Sequence, residues 1–250
     1  MATFLFDKII FGPVQSRRLG VSLGVNVMNP AAKLCNFDCI YCECGWNSEN
    51  PHGKFNTLDQ ITGALEAKLT EMEGALPNVI TFAGNGEPTM HPNFEEIIDR
   101  TIEIRNRIAP HCKISVLSNA TLIGREDVCR ALERVDNNIL KFDSAIEKTV
   151  KAMNRPNGNR TVDQTIELLK QFDGKQIIQT MFLRGGEVDN TTQEEVTAWL
   201  GAIAAIRPRQ VMLYSIDRDT PATGLERVSH EELLQIAARV QALGIDVSVV

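Results

Sequence analysis

The sequence predicts an α/β fold built on a parallel sheet, and three features predict it. Short β-branched runs alternate with amphipathic helical stretches from Val21 to the end of the chain. The alternation runs through six strand–helix units with no linker, which calls for right-handed crossovers and helices outside the sheet. The length, 250 residues, is about that of an α/β barrel. Six units fall short of the eight that close such a barrel, so the expectation is an open, partial (β/α)6 barrel occupying residues 1–250 as a single domain.

The first strand is VSLGVNVM (21–28), followed by a stretch of about 28 residues, 29–56, with no periodic pattern. Thr57 is a helix N-cap, and Ile61, Leu65 and Leu69 place one apolar stripe on the helix 57–73. NVITFAG (78–84) is the second strand, with a helix over 93–108. KISVLSN (113–119) and a helix over 125–135 make the third unit, and NILKFDS (138–144) with a helix over 161–172 the fourth. QIIQTMFL (176–183) precedes a helix over 191–206, and QVMLYSI (210–216) precedes one over 229–243. In such folds the chemistry sits at the carboxyl ends of the strands, so the loops after residues 28, 84, 119, 143, 183 and 216 are the places for a site.

The balance of 26 basic and 32 acidic residues gives a net charge of -6, with no general electrostatic footprint for nucleic acid or anionic lipid. Arg17 and Arg18 are local candidates for anchoring an anion. The start, MATFLFDKIIFGP, has no basic leader before its apolar residues, and no apolar run approaches the roughly 20 residues that span a bilayer. A soluble cytoplasmic protein is therefore expected. In a reducing compartment, clustered thiols are metal ligands or catalysts rather than disulfides. Four of the six cysteines fall within KLCNFDCIYCEC (33–44), inside the long loop after the first strand. Cys112 and Cys129 stand apart and read as small buried apolar groups.

Cys35, Cys39 and Cys42 have the spacing C-x3-C-x2-C, which lets one loop wrap three corners of an iron–sulfur cube and leaves one iron without a protein ligand. Cys44 follows by two residues, and in an extended stretch it would point the same way as Cys42, so geometry alone leaves a closed four-cysteine site open. A zinc site would pair two distant cysteine halves, and the sequence has no second half. The motif resembles the CxxxCxΦC signature of the radical S-adenosylmethionine (radical SAM) superfamily, with Tyr41 in the aromatic place. FGPVQSRRLG, GNGEPT, the NRP segment and TMFLRG add a closer resemblance to the catalytic half of the archaeal wyosine-base synthases, although no second cysteine cluster of the tRNA-modifying kind is visible.

The resemblance implies a TIM-like partial barrel in which Cys35, Cys39 and Cys42 hold a [4Fe-4S] cluster and Cys44 is a neighbour rather than a ligand. It implies S-adenosyl-L-methionine (SAM) on the open iron, cleaved by an electron from an external donor such as flavodoxin or ferredoxin. AGNGEPT (83–89) corresponds to the loop that grips the SAM amino group: Asn85, Gly86, Glu87 and Pro88 match it, with Asn in place of the family's first Gly, and Asn85, Gly86 and Glu87 become, with Tyr41, candidate cofactor contacts. As a dinucleotide loop this segment fails, because Pro88 follows at once and the third glycine is missing. Ser118 and Asn119 suit the ribose or carboxylate of SAM, or else cap a turn. Asp143, with Lys141 two residues earlier on the same strand face, is either a SAM or substrate contact or half of a buried ion pair. Asn154, Arg155, Arg184, Asp217 and Arg218 fall on the same rim, where a charge meets substrate or pairs with a neighbour, while Gln179 and Tyr214 lie farther inside. The expected reaction is hydrogen abstraction from a tRNA base, a protein residue or a metabolite. The alternative of a different class is a non-catalytic electron carrier with Cys44 as fourth ligand.

Overall fold

A computed structural model describes residues 4–16, 19–30, 32–47 and 53–250. Arg17 and Arg18, the candidate anchors, lie outside the described residues. In chain order the strands are β1 (Ile10–Ser16), β2 (Gly20–Val25), β3 (Val79–Phe82), β4 (Lys113–Ser118), β5 (Asn137–Lys141), β6 (Ile177–Gly185), β7 (Val188–Asp189), β8 (Gln210–Ser215), β9 (Glu226–Arg227) and β10 (Asp246–Val249). The helices are α1 (Leu58–Glu71), α2 (Phe94–Ile108), α3 (Glu126–Arg134), α4 (Glu147–Met153), α5 (Val162–Lys170), α6 (Gln193–Ile206) and α7 (His230–Gln241).

The sheet order is β1-β2-β3-β4-β5-β6-β8-β10, and β2 to β10 along this path are parallel. Each of the six predicted units is present, and the fold is an α/β partial TIM-like barrel. Three features depart from the expected six units. β1 is an antiparallel edge strand on β2 with a register irregularity between Phe11 and Val14, a place where a Gly-Pro pair that reads as a turn is tolerated because the edge needs no full ladder. β10 adds a further parallel strand beside β8 after the last predicted helix. α4, too short for a periodic signal and with only Met153 buried, lies between β5 and α5.

The helices pack outside as their apolar stripes require. Ile61, Leu65 and Leu69 of α1 and Phe94, Ile97 and Ile98 of α2 join Leu23, Val25, Ile80 and Phe82 in the main core. Capping boxes at Thr57 with Gln60, Thr161 with Gln164 and Ser229 with Glu232 fix the starts of α1, α5 and α7. Inside the barrel Ile139, Ile177 and Met212 form a small floor. Above it a second cluster unites Ile40 and Tyr41 of the cysteine loop with Met153, Met181 and Leu183, so the loop is packed into the mouth of the barrel. Cys112 is buried as expected, whereas Cys129 is only partly buried, because it sits on the flank of α3 and packs against the core from its edge.

The return of the long loop to α1 is fixed by a histidine. Asn93 N–H donates to His91 Nδ1 at 3.0 Å, so the ring's proton sits on Nε2, which donates to Asn56 O at 2.8 Å. Asn56 in turn donates to Met28 O at 2.6 Å and Asn26 O at 3.3 Å, and Phe55 packs edge-on to the imidazole. Both ring nitrogens are used by the neutral form, and burial holds the His91 pKa below the ordinary 6.5. A pKa depressed in the fold contributes stability that is present above the unfolded value and lost as pH falls toward the folded one. Urea midpoints measured from about pH 8 to about pH 5 should therefore fall less steeply in a His91→Gln protein than in the wild type below about pH 6.5. Parallel curves would remove His91 from the pH dependence.

Candidate functional site

A loop lodged in a barrel mouth must find partners for its backbone, and here it finds them on two sides. On one side Leu34 forms a parallel bridge with Gly86: Leu34 N donates to Asn85 O at 2.8 Å and Glu87 N to Leu34 O at 3.0 Å. Gly86 has φ of 142°, and a Cβ there would lie 1.8 Å from Leu34 O, so only glycine lets the strands meet this closely. On the other side Ile40 N donates to Met153 O at 3.0 Å, Asp38 N to Asn154 O at 2.9 Å, and Asn157 N to Asn36 O at 2.8 Å. The cysteine loop is thus sewn between the β3–α2 loop and the C-terminal end of α4.

Cys35 lies close enough to Cys39 and Cys42, and Cys39 to Cys42, for the charge of one to act on the next. Burial, and then the Glu87 carboxylate, push the Cys35 thiol far above its usual range; burial pushes Cys39 up to about 11. Such thiols stay protonated unless a cation replaces the proton. Donors are aimed at the sulfurs: Phe37 N lies 3.4 Å and Asn119 Nδ2 3.7 Å from Cys35 Sγ, and Asn154 Nδ2 lies 3.6 Å from Cys39 Sγ. Among the described residues no three His, Cys, Asp or Glu side chains converge as they would around a single metal ion. In an iron–sulfur cube each cysteine holds a different iron, so wider spacing fits a cluster better than one ion.

Cys42 differs from the other two. A hydrogen bond from the Cys44 thiol and the Lys33 ammonium lower its pKa to about 6. Cys44 itself is buried, with Sγ 3.6 Å from Gly84 O as well as against Cys42. Lys33 is 3 % exposed and donates to Gly45 O at 2.6 Å and to Asp38 Oδ1 at 3.3 Å. Burial works against its charge, but Cys42, Cys35 and Asp38 outweigh that and the net shift is upward. The sequence reading gave Lys33 no role; a lysine two positions before the first cysteine of a buried loop was the available signal.

The other candidates gather around two hubs, the buried carboxylates of Glu87 and Asp143. Glu87 accepts on Oε1 from Thr89 N at 3.0 Å, Thr89 Oγ1 at 2.5 Å and Ser118 Oγ at 2.8 Å, and on Oε2 from Asn119 N at 2.6 Å. Burial raises its pKa against these four donors. Asn85 points away toward the N-terminal segment, donating to Phe6 O and Pro30 O and accepting from Phe6 N. Asn119 bridges to Asn36 Oδ1 at 2.7 Å and receives both Thr121 N and its hydroxyl. At the second hub Asp143 accepts from Tyr41 Oη at 2.5 Å, Asn154 Nδ2 at 2.7 Å and Met181 N at 2.9 Å, with Lys141 Nζ at 3.5 Å. Lys141 also donates to Tyr214 Oη at 2.7 Å and lies 5.0 Å from the centre of the Tyr41 ring.

Between the hubs a cavity of about 240 Å³ opens against the cysteine loop, lined by Asn36, Asn119, Asp143, Ser144 and Asn154 among others. The rim residues separate. Arg184 pairs with Glu232 at 2.7 Å, Arg218 with Glu43 at 2.6 Å, and Asp217 with Arg227 at 3.1 Å. Arg155 stacks on Trp46 with its guanidinium 4.6 Å from the ring centre. Asn154, expected on the rim, is instead buried and joins both Cys39 and Asp143.

Residues 30–197 match the family model described as the Radical SAM superfamily. A UPF0026 protein of Methanocaldococcus jannaschii is 33% identical over 181 residues, 70% of this chain. The match spans 54% of that relative, so the chain covers about half its length. A radical SAM methyltransferase from Sphaerobacter thermophilus superposes with a TM-score of 0.68 at 14% identity, covering 92% of this chain and 65% of that one. Archaeal TYW1 superposes at 0.56 and 15% identity, covering 88% and 71%. At these identities the structural likeness shows the fold alone, and the narrower kinship with wyosine-base synthases finds no support beyond it.

The Gly86 contact yields a direct expectation. Gly86→Ala should lower unfolding free energy by about 2 kcal/mol or more, since Leu34 or the β3–α2 loop must move. Urea denaturation measures it, and a change below about 0.5 kcal/mol would show that the bridge is dispensable.

Proposed function

Since the chain belongs to the radical SAM superfamily, we propose that it is a radical SAM enzyme whose Cys35, Cys39 and Cys42 hold a [4Fe-4S] cluster with one iron left for SAM. The observation that supports this most is a three-cysteine loop, with Cys39 buried and Cys35 and Cys42 partly buried, sewn into the barrel mouth beside a cavity of about 240 Å³ at the strand ends. Cluster and SAM together, when bound, supply reductive cleavage of SAM to methionine and a 5′-deoxyadenosyl radical, with the electron delivered by a carrier such as flavodoxin or ferredoxin. The substrate is a tRNA base, a protein residue or a metabolite that gives up a hydrogen.

The protein's own residues prepare the site. Phe37 N, Asn119 and Asn154 donate toward sulfur and stabilise charge there, as partners of metal ligands do. Glu87 and Asp143 are positioning residues: Glu87 Oε2 holds Asn119 N in place and Asp143 holds Tyr41. In this reading the Gly86 backbone, Ser118 and Asn119 would contact SAM, and Asn119 lines the cavity beside the cysteine loop. Tyr41, Met153 and Met181 pack beneath the loop and exclude water from it. Cys44 serves as a thiol donor to its neighbours instead of a ligand.

Anaerobic reconstitution should give about four irons per chain, and Cys35→Ala should lose the cluster. Cys44→Ala should keep a cluster whose spectrum responds to SAM and should release 5′-deoxyadenosine on reduction. A Cys44→Ala protein without a cluster, joined to a wild type that never cleaves SAM, would replace this proposal with a closed electron carrier. A second outcome concerns Glu87→Gln, which keeps the volume but weakens the grip on Asn119 and Ser118. SAM affinity should drop roughly 5- to 100-fold with iron content unchanged, read by titration of the cluster spectrum.

A further inference from the structure

The rim arginines divide by partner. Arg184, Arg218 and Arg227 each hold a carboxylate. Arg155 and Arg160 have none among the described residues: Arg155 lies over Trp46, and Arg160 donates to Ala120 O at 3.1 Å. Both are exposed, and they share one short loop in a chain of net charge -6. Lys151, at the last turn of α4, adds a third cation, also without an ion partner among the described residues.

The three line one groove of about 670 Å³. Its one carboxylate, Glu147, is already engaged by the backbone N–H of Val162 at the start of α5. The groove adjoins the smaller cavity beside the cysteine loop, for Val150, Pro156 and the run 157–160 border both. Asn157 N–H reaches Asn36 O of the cysteine loop, and Arg160 is tied to the residue after Asn119. Arg155 has φ of 47°, a left-handed conformation that a non-glycine residue adopts at a cost and that clusters at ligand sites. Burial pulls the Arg160 pKa down with no acidic neighbour to oppose it.

We infer that this groove binds the phosphate of a small phosphorylated substrate and so places the rest of that molecule toward the cavity at the cysteine loop. The inference rests on the radical SAM reading for the chemistry at the inner end, and on the groove itself for the ligand class. Two guanidinium forks and an ammonium can satisfy several oxygens of a dianion, where a single carboxylate needs one fork. The excess of acidic residues elsewhere opposes a long polyanion and favours a compact ligand.

The test uses the reconstituted protein, with inorganic pyrophosphate as probe and calorimetry at about physiological salt. Pyrophosphate should bind, and Arg160→Gln and Arg155→Gln should each weaken it by roughly tenfold. Arg218→Gln, which removes an arginine already paired with Glu43, should stay within about twofold. Absence of binding by the wild type, equal affinity in both groove variants, or an equal loss in Arg218→Gln overturns the inference. Tighter binding of tricarballylate than of pyrophosphate would assign the groove to carboxylates and overturn the phosphate. Tighter binding of a single-stranded RNA 20-mer would overturn the small ligand. Iron content and SAM response, measured on the same samples, report separately on the radical SAM reading.

Discussion

The backbone of a loop can be buried only where other backbones meet it, and this protein solves that constraint with the bridge between Leu34 and Gly86. Unpaired amides cost roughly 1–3 kcal/mol each away from water, so a loop of this length could not fill the mouth of a barrel on apolar contacts alone. The bridge gives the cysteine loop a short strand-like edge, and Met153, Asn154 and Asn157 give it a second. Everything chemical follows from that. The three thiols face inward because the loop between Leu34 and Gly45 is held at both sides, and its turn is closed by Cys42 N to Cys39 O at 3.1 Å and Gly45 N to Cys42 O at 2.9 Å.

The second organising principle is that buried charges come in satisfied groups. Glu87 joins the β3–α2 loop to the end of β4, and Asp143 joins the end of β5 to Tyr41 and β6. Lys33 joins the two ends of the cysteine segment through Gly45 and Asp38. Removing one member leaves the other charge buried and unpaired, which is why such sites shift little. Under the proposed radical chemistry, rigid loops of this kind would keep the bound molecule from tumbling and water from entering.

The sequence made the barrel legible because its strands are short β-branched runs and its helices carry plain apolar stripes, as with Ile61, Leu65 and Leu69. It made the cysteine spacing legible because one loop holds the whole motif. What it hid is what depends on distance in sequence. β1 was obscured by Gly12 and Pro13, which read as a turn in any local window. Asn85 reads as part of a ligand loop, and its side chain ties down Phe6, 79 positions away. Asn154 looked like a rim polar residue and is buried between Cys39 and Asp143, 115 and 11 positions off. Pairing of that range has no local signature.

The same limit explains the arginines. Arg155, Arg184 and Arg218 are indistinguishable in sequence, each a basic residue at or just beyond the end of a strand or helix. Only the fold brings Glu232 to Arg184 across 48 positions and Glu43 to Arg218 across 175, and brings no carboxylate among the described residues to Arg155. A guanidinium held over an indole keeps its charge and its donors free at the ring's edge, whereas one locked to a carboxylate has spent both on its partner. The barrel rim therefore has an asymmetric electrostatic character that net charge conceals: paired and neutral near β6 and β8, cationic where α4 meets α5. That cationic sector is also the one whose backbone holds the cysteine loop, through Met153, Asn154 and Asn157. A ligand gripped there would press on the segment that positions the thiols, so binding at the groove and order at the cysteine loop share one structural element.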